Sequence, residues 1–376
     1  MTRLTGHILT PEGFVEGTLA FDSRGRIAGL MGTPVPEDDA RGSPLPLILP
    51  GFIDLHVHGG GGRDVMEGGD AAAVIARRHA AHGTTSMLAT TMTAPLADLQ
   101  VAFEGLRSVA AQQQRGAAAI LGVHLEGPYI NPGRLGAQPD YARPVSLQEL
   151  AGLDAMAPVR LLTLAPEVAG NMEAIAALVA AGYKVQVGHT AGSYDDGVQA
   201  LQRGAAGFTH LFNAMSGLHH REPGMVGAAL AHGRYAEIIP DLLHVHAGAI
   251  RVALRAIPCL YCVTDSTAAT GMPDGEYQLG RQTVTKCLGG VRLKDGTLAG
   301  STLTMDKALR NLVQVLGLDL SDASKRVSTH AADHLGLQDR GRLAPGAWGD
   351  VVVLDRELRL TAVYAQGERV ELADAG

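Results

Sequence analysis

Three cysteines in 376 residues are too few, and odd in number, for a disulfide framework, which predicts a reducing cytoplasmic setting. Cys259 and Cys262 do form a C-x-x-C, but "CLYC" runs into an apolar strand without a second pair. Both are therefore read as buried structural thiols. No uninterrupted apolar run approaches a membrane span, and "MTRLTGHILTPEGF" holds no apolar core of signal-peptide length. Long basic runs are also missing and the net charge is −7, which argues against nucleic acid as a partner. Charged residues make up only 18% of the chain, against 46% hydrophobic residues and 48 glycines. Those proportions suit an α/β enzyme with a large core. An acidic chain that takes an anionic substrate must gather its cations locally.

The chain ends differ from its middle. From Thr5 to Leu47 the segments are short and β-like, and "GFVEGTLAFDSRGRIAGL" alternates around a Ser-Arg-Gly turn as a hairpin does. A Pro-rich stretch then marks a boundary near Pro50. "GRLAPGAWGDVVVLD" near the other end has the same character, so the two ends are expected to complete one small β domain. Between them, apolar strands alternate with Ala-rich helical stretches such as Ala71–His82 and Met172–Ala181. Eight strands end at "IDLHVH", "TTSMLAT", "AILGVHLEG", "RLLTLAPE", "KVQVGHT", "GFTHLFNA", "AEIIPDLLHV" and "LYCVTDS". The expected architecture is α/β, a (β/α)8 TIM-like barrel with its chemistry at the C-terminal strand ends. The expected boundaries are 1–49 and 336–376 for the small domain and 50–335 for the barrel.

Side chains alternate across a strand, so His56 and His58 of "LPGFIDLHVHGGGG" share a face and can converge on one cation. Other strand ends carry Glu126, His189, His210 and Asp265. Carboxylate and imidazole together suit a divalent metal such as zinc or iron. Six such residues at corresponding barrel positions predict a catalytic metal site. Metal-bound water would be the nucleophile. Asp265 is read as its proton shuttle, with a plain metal ligand as the alternative. His124, two residues before Glu126, is assigned a supporting or core role, and His246 is left open. His219 and His220 are read as solvated or at a subunit contact, and His79 and His82 as structural.

"PGFIDLHVHG", "HLEGPYIN", "VGHT", "THLFNAM", "REPG", "HVH" and "VTDS" occur in this order. Together they resemble the N-acetylglucosamine-6-phosphate deacetylases of the amidohydrolase superfamily, from Leu49 to "LAGSTLTMDKALRN". The resemblance implies a metal-dependent barrel with a small β-sandwich built from both chain ends. It also implies hydrolysis of the acetamide of N-acetylglucosamine 6-phosphate, in amino-sugar catabolism and cell-wall sugar recycling. Glu126, His189 and His210 match the principal metal ligands, and Asp265 the acid/base. Asn213 and Ala214 match a sugar-phosphate contact. Arg221 and His244 match the phosphate-binding positions, Arg221 reaching a neighbouring subunit in a homodimer. Leu298, Ala299 and Gly300, with Ala137 and Gln138, match segments lining the sugar pocket. The implied cofactor is one or two divalent ions per subunit, zinc first, with iron, cobalt or manganese as alternatives.

Three positions individualise the chain. It keeps His56 and His58, which some relatives lack, so a second ion has ligands. Gln138 stands where some relatives have a histidine near the substrate carbonyl. Leu242 replaces a glycine before His244. Other two-metal amidohydrolases bridge their ions with a carbamylated lysine at the fourth strand end. That end reads "LTLAPE" here, with no lysine, and Glu126 takes the bridging place. "HGGGG" resembles an oxyanion-hole loop, but no G-x-S-x-G accompanies it. The remaining alternatives are deacetylation of another phosphorylated amino sugar, such as N-acetylgalactosamine 6-phosphate, and a catalytically dead metal-binding scaffold.

Overall fold

The computed structural model describes residues 2–110 and 115–373. Residues 1, 111–114 and 374–376, which the expected domain ranges include, lie outside the described residues. Eight parallel strands are ordered in space as in the chain: Phe52–Val57, Thr84–Thr91, Ala119–Glu126, Val159–Leu164, Lys184–Val187, Gly207–Phe208, Tyr235–Ile238 and Cys259–Cys262. Each overlaps one of the eight runs singled out from the sequence, within a residue at its ends or inside it. The first and eighth meet just past their regular ends, where Asp265 N–H donates to His56 O at 3.0 Å and His58 N–H to Ser266 O at 2.9 Å. Below this seam the Thr264 hydroxyl donates to Asp54 at 2.6 Å. This is the expected TIM-like barrel.

Phe52–Val57 is buried along its whole length, as parallel strands covered on both faces are. Its polar members, Asp54 and His56, share one face, while Ile53, Leu55 and Val57 share the other. The helix expected over Ala71–His82 runs from Ala71 to Ala80. It stops at Gly83, whose φ of +88° and contact with the Phe52 ring, 2.6 Å from where a Cβ would sit, leave room only for glycine. The other expected helix spans Asn171–Ala180, one residue earlier than its periodicity suggests.

The chain ends join in a mixed sheet of seven strands, in the order Glu368–Val370, Leu360–Ala365, Val351–Leu354, Leu47–Pro50, Arg3–Thr10, Gly13–Phe21 and Ile27–Pro34. The expected sandwich is thus one continuous sheet that curls over itself. Phe21 and Tyr364, from strands far apart in that order, meet with their rings tilted by 59° and centroids 5.5 Å apart. Ile8, Leu19, Ile27, Ile48, Val351 and Val353 fill the space between. After the eighth barrel strand, Gly275–Leu279, Gln282–Cys287 and Gly290–Arg292 form an antiparallel sheet that the sequence reading did not anticipate. No helix among the described residues is long and apolar enough to cross a membrane.

Candidate metal centre and active site

The strand ends bring all six expected chemical residues together. Glu126 lies between two groups of histidines. Its Oε1 is 3.0 Å from His189 Nε2 and 2.9 Å from His210 Nε2. Its Oε2 is 3.1 Å from His58 Nε2 and 3.4 Å from His56 Nε2. Asp265 Oδ1 closes the second group, 3.2 Å from His58 and 3.4 Å from His56. The result is two buried clusters, Glu126–His189–His210 and His56–His58–Asp265. Backbone geometry helps to aim them: His189, His210 and Asp265 sit just past their strands at φ of +48°, +26° and +50°. Non-glycine residues pay strain there, and such strain concentrates at functional sites.

The donor chemistry fits divalent cations. His189 Nδ1 lies 2.8 Å from Arg134 O, His58 Nδ1 3.2 Å from Thr90 O, and His56 Nδ1 3.0 Å from Glu237. Each of these partners accepts a proton, so each Nδ1 is the N–H and each Nε2 keeps its lone pair. Yet His56 and His58 Nε2 stand 3.2 Å apart, and His189 and His210 Nε2 3.1 Å apart. The facing lone pairs of His56 and His58 need a positive charge between them. Burial opposes protonation of His58, but the Asp265 and Glu126 carboxylates raise its pKa to about 9. The field that draws a proton there also draws a metal ion. Burial likewise opposes ionisation of Asp265, but His56 and His58 hold its pKa down at about 2.

A cavity of about 390 Å³ opens onto the clusters. The amidohydrolase family model matches residues 47–372. N-acetylgalactosamine-6-phosphate deacetylase of Escherichia coli O157:H7 is 39% identical to this chain, covering 96% of it and 97% of that protein. N-acetylglucosamine-6-phosphate deacetylase of Lysinibacillus sphaericus is 38% identical, covering 85% and 84%. The chain belongs to the N-acetylglucosamine-6-phosphate deacetylase family of amidohydrolases. A solved family structure agrees over nearly the whole length. It is an aspartate-to-alanine mutant of the Mycobacterium smegmatis deacetylase in complex with N-acetyl-D-glucosamine-6-phosphate. It superposes with a TM-score of 0.89 at 35% identity, covering 98% of this chain and 99% of that one.

The amidohydrolase cavity is lined by Ala137, Gln138, Asn213, Ala214, His244, Leu298 and Gly300, as expected from the family motifs. Ala299 is not among them; it is fully buried in an apolar cluster with Met92 and Leu279. Arg221 is exposed, pairs with His220 Nε2 at 2.8 Å, and lies outside the cavity of its own subunit. Gln138 is held at both ends. Thr93 N–H donates to its Oε1 at 2.6 Å, so its NH₂ faces inward and donates to Glu126 at 2.6 Å. Leu242 adopts φ +68°, the conformation a glycine would take without strain, and packs on the barrel core. His124 donates its Nδ1–H to Leu55 O and accepts from the Thr163 hydroxyl at Nε2, in a supporting role, and burial lowers its pKa to about 3. His79 bonds Gly59 O and Ser266, and His246 caps the Ala247–Ala256 helix.

Three carboxylates in this amidohydrolase site escaped the sequence reading. Glu237 contacts His56. Glu167 ties the loop after His189 through Thr190 and Ala191 N–H. Asp241 accepts from Leu243 and His244 N–H with Oδ1, and its Oδ2 lies 2.7 Å from His244 Nδ1. The visible signal was a lone carboxylate inside or just after an apolar strand. Burial lowers the pKa of His244, but its bond to Asp241 prevails and raises it. A raised pKa keeps the imidazolium charged to higher pH. Asp241→Asn keeps the turn acceptor and removes that charge. Its KM for a phosphorylated sugar should rise above about pH 6.5, the ordinary imidazole value, with kcat little changed. Parallel KM–pH profiles for variant and wild type would contradict this role.

Proposed function

We propose that the protein hydrolyses the acetamide of N-acetyl-D-glucosamine 6-phosphate, giving D-glucosamine 6-phosphate and acetate. At the coarser level, membership of the family makes it an amino-sugar 6-phosphate deacetylase. The observation that carries the reading is one cavity lined both by the metal-ligand clusters and by a phosphate-binding candidate. Glu126, Asp265, His58, His189 and His210 line it together with His244, which Asp241 backs. A divalent ion bound at the clusters would lower the pKa of its water from 15.7 to about 7 and polarise the acetamide carbonyl. Asp265 takes a proton from the attacking water and delivers it to the amine nitrogen as the C–N bond breaks. Gln138, fixed by Thr93, presents a neutral donor beside Glu126. Asn213, the Ala214 backbone and His244 hold the sugar phosphate. Zinc is the first choice of metal, with iron, cobalt and manganese behind it.

A second reading, N-acetylgalactosamine 6-phosphate, is favoured by the 39% identity to a deacetylase of that name. Acetate release from the two C4 epimers, measured side by side, tests the choice. A kcat/KM at least tenfold higher for the glucosamine epimer is expected, and the reverse order would transfer the assignment.

The same reading takes the protein as a homodimer in which Arg221 serves the neighbouring cavity. Its position outside its own cavity, on a loop with the exposed Leu218, supports this. Charge-assisted hydrogen bonds contribute about 1.5–3 kcal/mol, or roughly 10–150-fold in kcat/KM. Arg221→Ala should lose that factor with the 6-phosphorylated sugar and little with N-acetylglucosamine. Equal losses on both substrates, or a fully active monomer by sedimentation, would remove Arg221 from the phosphate.

A further inference from the structure

Glu237, on the seventh barrel strand, is a carboxylate that the hydrolytic reading does not use. It is fully buried, and among the described residues no lysine or arginine pairs with it. All of its hydrogen bonds are accounted for. Oε2 lies 3.0 Å from His56 Nδ1 and accepts the His210 backbone N–H at 3.1 Å. Oε1 accepts from Gln186 Nε2 at 2.8 Å and the Tyr261 hydroxyl at 3.3 Å. An interior charge without a cationic partner is costly, and hydrogen bonds alone seldom compensate. The ionisable imidazole that it hydrogen-bonds is His56, at 3.0 Å; His124 Nδ1 lies farther off, at 4.0 Å.

His56 is clamped from two sides. Glu237 holds its Nδ1, and the His124 ring stands edge-on against it with centroids 4.5 Å apart. His56, His124 and Glu237 also place ligand-type atoms near one another. They do not form a third cation site, because both His124 nitrogens are engaged by Leu55 O and Thr163. The remaining free nitrogen of the trio is His56 Nε2, which points at His58 and Asp265.

We infer that Glu237 is a positioning residue that fixes His56 with Nε2 toward His58 and Asp265, and so builds the second cation site. A carboxylate behind a ligating imidazole sets its tautomer and plane and strengthens it as a donor, and loss of such a partner weakens metal affinity about 10–100-fold. The other ligand imidazoles whose Nδ1 is engaged rest on neutral carbonyls, Thr90 O and Arg134 O. Glu237 therefore acts through a ligand side chain on the His56–His58–Asp265 cluster alone, its link to His210 being to the backbone N–H. The inference rests on the proposed metal-dependent hydrolysis.

The test is calorimetric titration of the demetallated full chain with Zn(II), read as stoichiometry and affinity rather than activity. Wild type is expected to take up two ions. Glu237→Gln keeps the volume and one oxygen for both His56 Nδ1 and the His210 N–H, so it should fold and melt as wild type; what it removes is the carboxylate charge that strengthens His56 as a donor. One ion should bind unchanged and the other about 10–100-fold more weakly. His56→Ala should lose that second ion, and adding Glu237→Gln to it should leave the remaining affinity unaltered. Equal weakening of both ions, unchanged binding, a further loss in the double variant or an unfolded Glu237→Gln would each overturn the positioning role. A wild type that binds one ion yet releases acetate would overturn this inference alone. A wild type that binds none and releases no acetate would overturn the hydrolytic reading itself.

Discussion

Asp265→Asn should lower turnover by about 10²–10⁴-fold while leaving substrate affinity and metal content close to wild type. The residue is held at the seam of the barrel by its N–H bond to His56 O, a backbone contact that asparagine keeps. Its Oδ1 sits 3.2 Å from His58 Nε2, within the second cluster, and the amide retains an oxygen for that contact. What the amide cannot do is take a proton from water and return it to the departing amine. Single-turnover acetate release, with metal content measured on the same sample, checks this. Turnover within a few-fold of wild type would make Asp265 a ligand and no more.

Glu126→Gln should be more damaging to metal retention than any other single change. Its two oxygens reach His189 and His210 on one side and His56 and His58 on the other. Burial resists its ionisation, yet the surrounding imidazoles hold its carboxyl well below the usual range. Removing that charge leaves the first cluster with two histidines and no carboxylate, and glutamine keeps only one oxygen for the two clusters. Dialysis against chelator should strip the variant under conditions that leave wild-type protein loaded, and hydrolysis should fall with the metal. Full metal content after dialysis would contradict the bridging position.

The barrel was legible because its strands are apolar runs separated by Ala-rich helices, and because chemistry at strand ends is a local pattern. His56 and His58 illustrate this: a spacing of two on an apolar strand already places both rings on one face. Glu237 illustrates the opposite. In "AEIIP" it is one carboxylate in a short strand, and its partner His56 lies 181 residues away. Only closure of the barrel brings them together. Gly275–Leu279 and Gln282–Cys287 went unread because their exposed, mixed sequences carry no apolar run, although that sheet supplies Leu279 to the cavity wall. Ala299 was placed in the pocket with its neighbours, but Leu298 and Gly300 face the cavity while it packs behind them.

The most direct measurement is acetate release from N-acetyl-D-glucosamine 6-phosphate by the purified protein, before chelation, after it, and after Zn(II) is restored. Hydrolysis should be present, disappear with the metal and return with it. Activity indifferent to chelation after complete metal removal, or no acetate from a fully loaded protein with either C4 epimer, would contradict metal-dependent deacetylation.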